Sequence, residues 1–150
     1  MQREREQKSH CIPKLILGDS LETIKKNPDK SIDLIITDPP YEVITTGGGS
    51  INKVKKLDKS LQDLEDANIA NGYDIELFGE EFIRVMKEIN IYLWCNKTQI
   101  PNYFDFYVNQ HKCKFDIICW HKTNAMPTYS NKYLSDTEYL LYFRNGSVFK

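Results

Sequence analysis

One short apolar run, Ile32–Thr37, leads directly into Asp38-Pro39-Pro40-Tyr41, and it constrains the fold more than any other segment. Its apolar residues, Ile32, Leu34, Ile35 and Ile36, do not alternate with polar ones. That pattern predicts a central parallel strand, buried on both faces. Two consecutive prolines cannot donate to a ladder, so the strand must stop at Asp38. In open α/β sheets, ligands collect at the carboxyl ends of strands. The chain therefore places one carboxylate and a rigid, donor-poor turn where a binding site is expected.

The flanking segments supply the rest of such a sheet. Lys14–Leu17 is a short strand candidate closed by Gly18-Asp19. Ser20–Lys26 reads as a helix capped by Asp19 or Ser20, followed by a turn at Asn27-Pro28-Asp29-Lys30. Ile75, Phe78, Phe82, Val85, Met86 and Ile89 recur at helical spacing and predict an amphipathic helix over 75–89. Asn90–Cys95, Phe115–Trp120 and Tyr139–Phe143 read as further buried strands, with a helix over 100–110 between the first two. Alternation of this kind argues a mostly parallel α/β sheet with helices on both faces and one antiparallel strand returning after Trp120. Residues 42–73 contain Gly47-Gly48-Gly49, several lysines and no sustained apolar stripe, which predicts a mobile functional loop with a short helix somewhere in 57–69.

Composition excludes several classes. The chain has 150 residues, enough for one core, with a net charge of -1, so a dedicated DNA-packaging protein is excluded. Lys53-Val54-Lys55-Lys56 is a local basic candidate, and equally a solvated loop. No apolar run approaches the roughly 18 residues of a membrane span, and Met1–Ser9 lacks the apolar core of a signal peptide, so a cytoplasmic protein is expected. Residues 1–13 are expected to be a flexible N-terminus and 14–150 the folded unit. Cys11, Cys95, Cys113 and Cys119 form no C-x-x-C pair. His111, Cys113, Cys119 and His121 match no common zinc spacing, so no metal is expected.

The residue types at 38–41 suit one chemistry in particular. The lone pair of an exocyclic base amine is delocalised into its ring, so the nitrogen attacks poorly. Acceptors that hold both N–H groups favour a pyramidal, more nucleophilic nitrogen. Asp38 offers a carboxylate for one N–H and the Pro39 carbonyl can accept the other, while neither proline carries a competing donor. Tyr41 offers a flat face to a base taken out of its helix. Attack would be direct displacement on a methyl sulfonium, held in line by positioning, with no metal required. The plainer reading is that Pro-Pro merely ends a strand.

Three segments together carry a family resemblance. Leu17-Gly18-Asp19-Ser20-Leu21 followed by Asp33–Tyr41, then Trp120-His121-Lys122-Thr123-Asn124-Ala125-Met126-Pro127, then Tyr133–Phe143, resemble the permuted (beta) group of adenine-N6/cytosine-N4 DNA methyltransferases. The resemblance implies a partial Rossmann-like fold, double-stranded DNA as partner, S-adenosyl-L-methionine as methyl donor, and a phage or restriction-type modification system. It assigns catalysis to Asp38, Pro39, Pro40 and Tyr41, and cofactor contact to Asp19, Ser20 and Asp38. It places Tyr41, Trp120, Lys122 and Asn124 against the target base. Asp19 reads equally as a helix cap, and Lys122 and Asn124 equally as polar loop residues. Asp at the head of the motif favours adenine over cytosine, whose N4 enzymes favour Ser there.

The sequence departs from that family in one respect. The glycine-rich F-x-G-x-G-type loop and acidic strand end that hold the cofactor are not found, and Gly47-Gly48-Gly49 follows the catalytic motif rather than a strand. By resemblance the chain supplies the 4-5-7-6 block of a 3-2-1-4-5-7-6 sheet, and the Lys14–Leu17 strand must pair with Ile32–Thr37 or detach. The free edge predicts a homodimer or a complementing chain. The alternatives are a non-catalytic or split half that binds DNA or a partner, a cytosine-N4 enzyme, or an RNA or protein amino-methyltransferase.

Overall fold

The computed structural model describes residues 13–40, 74–125, 133–134 and 136–147. Tyr41, the 42–73 loop with Lys53–Lys56 and its expected helix, Met126 and Pro127 lie outside the described residues. The elements in chain order are α1 (Ser20–Ile24), β1 (Ile35–Thr37), α2 (Ile75–Val85), β2 (Asn90–Cys95), α3 (Ile100–Phe104) continuing into a π-helical turn (Asp105–Gln110), β3 (Lys114–His121) and β4 (Thr137–Arg144).

The four strands form one sheet in the order β1-β2-β4-β3. β1 and β2 are parallel, with Ile35 opposite Ile91 and Thr37 opposite Leu93. β4 inserts antiparallel between β2 and β3, with Leu141 opposite both Leu93 and Ile117. This is the order expected of a 4-5-7-6 block, and the fold is a Rossmann-like mixed α/β sheet with three strands in one direction and one reversed.

Residues directly opposite one another share a face. One face therefore carries Ile35, Ile91, Leu93, Cys95, Leu141 and Phe143, and the core is built on it. The α3–π unit covers this face with Tyr103, Phe106 and Tyr107, all buried, and Tyr107 stacks on Phe143 with ring centroids 4.6 Å apart. α2 packs on the same core through Ile75, Phe82 and Ile83. Gly79 of α2 lies against the Phe106 ring: a Cβ there would come within 2.4 Å of it. The opposite face carries Ile36, Tyr92, Trp94, Ile118, Trp120, Leu140 and Tyr142 by the same register.

Four expectations need correction. Ile32–Thr37 is not a doubly buried central strand: the regular part is Ile35–Thr37, it borders the described sheet, and Ile36 is 66% exposed. Phe115–Trp120 is not buried either, because β4 takes the interior position and leaves β3 at the other border with every residue exposed. Lys14–Leu17 forms no strand. With no ladder partner its backbone gains nothing from extension, and Leu15 and Leu17 are fully exposed. The 75–89 helix ends at Val85, because the segment before β1 captures its last turn. Lys30, Ser31 and Ile32 donate backbone N–H groups to the carbonyls of Arg84 and Val85, and Lys87 donates to Ile32. Those bonds satisfy helix-end carbonyls that would otherwise lack partners.

Candidate active site

The functional candidates gather at the carboxyl ends of β1 and β3. Asp38 follows β1 directly and is exposed, Pro39 is buried, and Pro40 is half-buried. Prolines offer no N–H, so this turn cannot secure itself through its own donors. The side chain of Gln99 secures it from the next turn, its Nε2 donating to the Pro40 carbonyl at 3.4 Å. Gln99 is 3% exposed. Its Oε1 accepts from the backbone N–H of Asn96, the residue after β2, at 3.2 Å. Asn96 in turn ties the loop with Oδ1, which accepts from the N–H groups of Thr98 and Gln99 and from the Thr98 hydroxyl at 3.0, 3.1 and 2.6 Å.

Thr37, the last residue of β1, lies opposite Leu93, so Asp38 and Trp94 each follow that pair in sequence. Trp94 meets Trp120 edge to face with centroids 5.8 Å apart, and Trp120 is 54% exposed. Lys122, just past β3, pairs with Glu138 of β4, and its N–H donates to the Asp136 carbonyl at 2.6 Å. His121 lies 3.4 Å from Asp136. Asn124 is exposed in the turn that follows.

Asp19 and Ser20 lie at the start of α1. Asp19 caps α1, its Oδ1 accepting from the Glu22 N–H at 2.9 Å, and Ser20 is the first helical residue. Both are exposed. The structure brings Asp38, Pro39 and Pro40 together with Gln99, and Trp120 with Trp94. α1 is held to α2 by Arg84, whose guanidinium bonds Glu81 at 2.8 Å, Asp29 at 2.5 Å and the carbonyls of Ile24 and Asn27 at 3.2 and 3.0 Å. Hydrogen bonds that the guanidinium donates to Glu81 and then to Asp29 raise the Arg84 pKa.

Sequence reasoning missed Gln99, Trp94 and Arg84. The signal for the first was present in Asn96-Lys97-Thr98-Gln99, an Asx-turn pattern directly after a strand. Burial pushes the Cys95 thiol up to about 12 and the Cys113 thiol up to about 11. Among the described residues no group of three or more His, Cys, Asp or Glu is arranged to hold a metal, and no helix is long and apolar enough to cross a membrane.

Comparison with known proteins now decides the family. Residues 32–149, from the start of the β1 segment to beyond β4, match the N6/N4 methyltransferase family, described as DNA methylase. The chain belongs to the N6/N4 DNA methylase family. It is 29% identical over 141 residues to the type II methyltransferase M2.DpnII of Streptococcus pneumoniae, a match covering 88% of this chain and 50% of that protein. The methylase fold is also seen in M1.HpyAVI, 21% identical with a TM-score of 0.51, covering 85% of this chain and 52% of that one. The cytosine-N4-specific PvuII DNA methyltransferase is 15% identical with a TM-score of 0.52, covering 85% and 47%. The chain thus spans about half the length of the relatives it matches.

Proposed function

We propose that this chain is the catalytic half of a DNA adenine-N6 methyltransferase that uses S-adenosyl-L-methionine. The observation that carries the reading is the exposed Asp38, followed by the buried Pro39, at the carboxyl end of β1 in a member of the DNA methylase family. That turn fits an amine-holding role, because its groups are acceptors and its prolines carry no donors. Bound S-adenosyl-L-methionine supplies an electrophilic methyl group on a sulfonium. Asp38 accepts one N–H of the target amine and the Pro39 carbonyl the other. With the donor bound, the amine nitrogen held by Asp38 and Pro39 would take the methyl group, and the carbon–sulfur electron pair would stay on sulfur. The surplus proton on nitrogen leaves through Asp38 to solvent. Tyr41 and Trp120 provide flat faces for the displaced base, Lys122 and Asn124 polar groups at its border. Asp19 contributes a carboxylate to the cofactor side, with Ser20 beside it.

A second reading is favoured by the border position of β1 among the described strands: the chain is a split half that needs a complementing chain, or a second copy, along β1. Ile36 beside that border is 66% exposed, and β1 bonds β2 on one side. A tritium-transfer assay with duplex DNA and S-adenosyl-L-methionine tests the first reading. Asp38→Ala lowers kcat by about 10²–10⁴-fold if Asp38 serves the amine, and digestion of the product to nucleosides must give N6-methyladenine. Product that is solely N4-methylcytosine refutes the adenine assignment. Undetectable cofactor binding by calorimetry at millimolar concentration leaves the split-half reading, which then requires activity to return on adding the complementing chain.

A further inference from the structure

Among the described residues, Gln99 is the one buried polar side chain. A buried amide left without partners costs about 1–3 kcal/mol, so its two partners define its role. The Asn96 N–H can only donate, so it must face Oε1, at 3.2 Å. The Pro40 carbonyl can only accept, so it must face Nε2, at 3.4 Å. The two constraints agree and leave a single orientation of the amide. The backbone of Gln99 is fixed as well. Its N–H donates to Asn96, and its carbonyl accepts the N–H of the fully buried Tyr103 at 3.1 Å, opening α3. A continuous path therefore runs from the core through α3 and Gln99 to the turn that carries Asp38.

We infer that Gln99 is a positioning residue for that turn: its amide holds the Pro40 carbonyl, which fixes the peptide plane after Pro40 and so anchors the far end of the turn that presents Asp38 and the Pro39 carbonyl as acceptors to the reacting amine. This role rests on the function proposed above. It follows from chemistry on both sides of the bond. The turn has no N–H of its own at 39 or 40, so an outside donor is needed to stop the Pro40 carbonyl from reorienting. Gln99 is the donor that reaches it.

The test uses the fact that Pro40–Tyr41 is the only Pro-Tyr step in the sequence. Protein labelled with carbonyl-¹³C proline and ¹⁵N tyrosine therefore gives one carbonyl–nitrogen correlation, which reports the Pro40 carbonyl alone. Gln99→Leu keeps the volume and removes the donor, so the carbonyl carbon moves upfield. Gln99→Glu keeps the acceptor for the Asn96 N–H, and only its protonated form can donate to Pro40. In that variant the signal therefore lies near wild type at low pH and moves away as the acid ionises, a titration that a merely space-filling residue would not produce. With DNA and cofactor, Gln99→Glu assayed above that titration lowers kcat by about 10²-fold with KM for DNA unchanged. A carbonyl signal that stays at one position in wild type, Gln99→Leu and Gln99→Glu at every pH overturns the link. A displaced signal with wild-type kcat overturns the positioning role. Wild-type protein that transfers no methyl group refutes the proposed function instead, while the carbonyl signal still decides whether Gln99 holds the turn.

Discussion

Gly79 offers a test in which two ordinary effects have opposite signs. In the middle of a helix, Gly→Ala normally stabilises by about 1 kcal/mol, because alanine leaves fewer unfolded conformations to lose. Here the added methyl would sit 2.4 Å from Phe106 Cε1 and 2.6 Å from Cζ. The ring cannot easily yield. It is 2% exposed and is held by Tyr107 at 4.9 Å and His111 at 4.6 Å between centroids. Overpacking of this kind costs about 1–3 kcal/mol, so against the helix gain Gly79→Ala should be destabilising by up to about 2 kcal/mol. Phe106→Leu removes the offending ring edge. In that background Gly79→Ala should recover the helix gain and become stabilising, a coupling of about 2 kcal/mol in a double-mutant cycle. Urea unfolding of the four proteins, followed by far-ultraviolet circular dichroism, measures each term. A stabilised Gly79→Ala single variant, or a cycle that is additive within about 0.5 kcal/mol, would refute the close approach of α2 to the π-helical turn.

The remaining predictions concern the thiols, the α1 clamp and the open border. Cys95 and Cys113 should resist iodoacetamide in the native state while exposed Cys119 reacts, as peptide mapping would show. Because burial pushes the folded Cys95 thiol up to about 12 from an ordinary value near 9, the unfolded state loses its proton first. The contribution of Cys95 to stability should be constant below pH 9 and fall by about 1.4 kcal/mol per pH unit between those values. Cys95→Ala, compared by urea unfolding across that range, should lose that part of the slope. Arg84→Met should release α1 and speed tryptic cleavage at Lys25 and Lys26, whereas unchanged cleavage would mean that α1 is held by something other than the guanidinium. If β1 borders a second copy, Ile36→Lys should shift sedimentation equilibrium toward monomer. A wild-type chain that is monomeric at every concentration rules that copy out.

What was legible in the sequence follows from range. Asn90–Cys95 and Tyr139–Phe143 could be read because both lie inside the sheet and keep their apolar residues where the register needs them. The Asp38-Pro39-Pro40 turn could be read because proline acts locally and stops a strand wherever it occurs. Phe115–Trp120 has the same apolar character as the other strands, yet it lies at a border, and only the nonlocal insertion of β4 decides that. The same limit applies to Gln99. A glutamine before Ile100-Pro101 looks like an ordinary loop residue until β1 brings the Pro40 carbonyl, 59 residues away, within reach of it. Asp19 was legible as a cap, and the structure uses it as one.

The antiparallel insertion of β4 also sets an order of events during synthesis. β2 and β3 are made first, but they never touch as ladder partners; each waits for Thr137–Arg144 to come between them. A nascent chain that has reached Trp120 can lay β2 beside β1, but it has no place for Lys114–His121. Until the interior strand arrives, Phe115, Ile117, Ile118 and Trp120 must remain solvated or sheltered by a chaperone. Assembly of these four strands is therefore gated by Thr137–Arg144, the last made of the described strands. Released chains truncated just before Thr137 should aggregate, whereas chains that include Thr137–Arg144 should be protease-resistant.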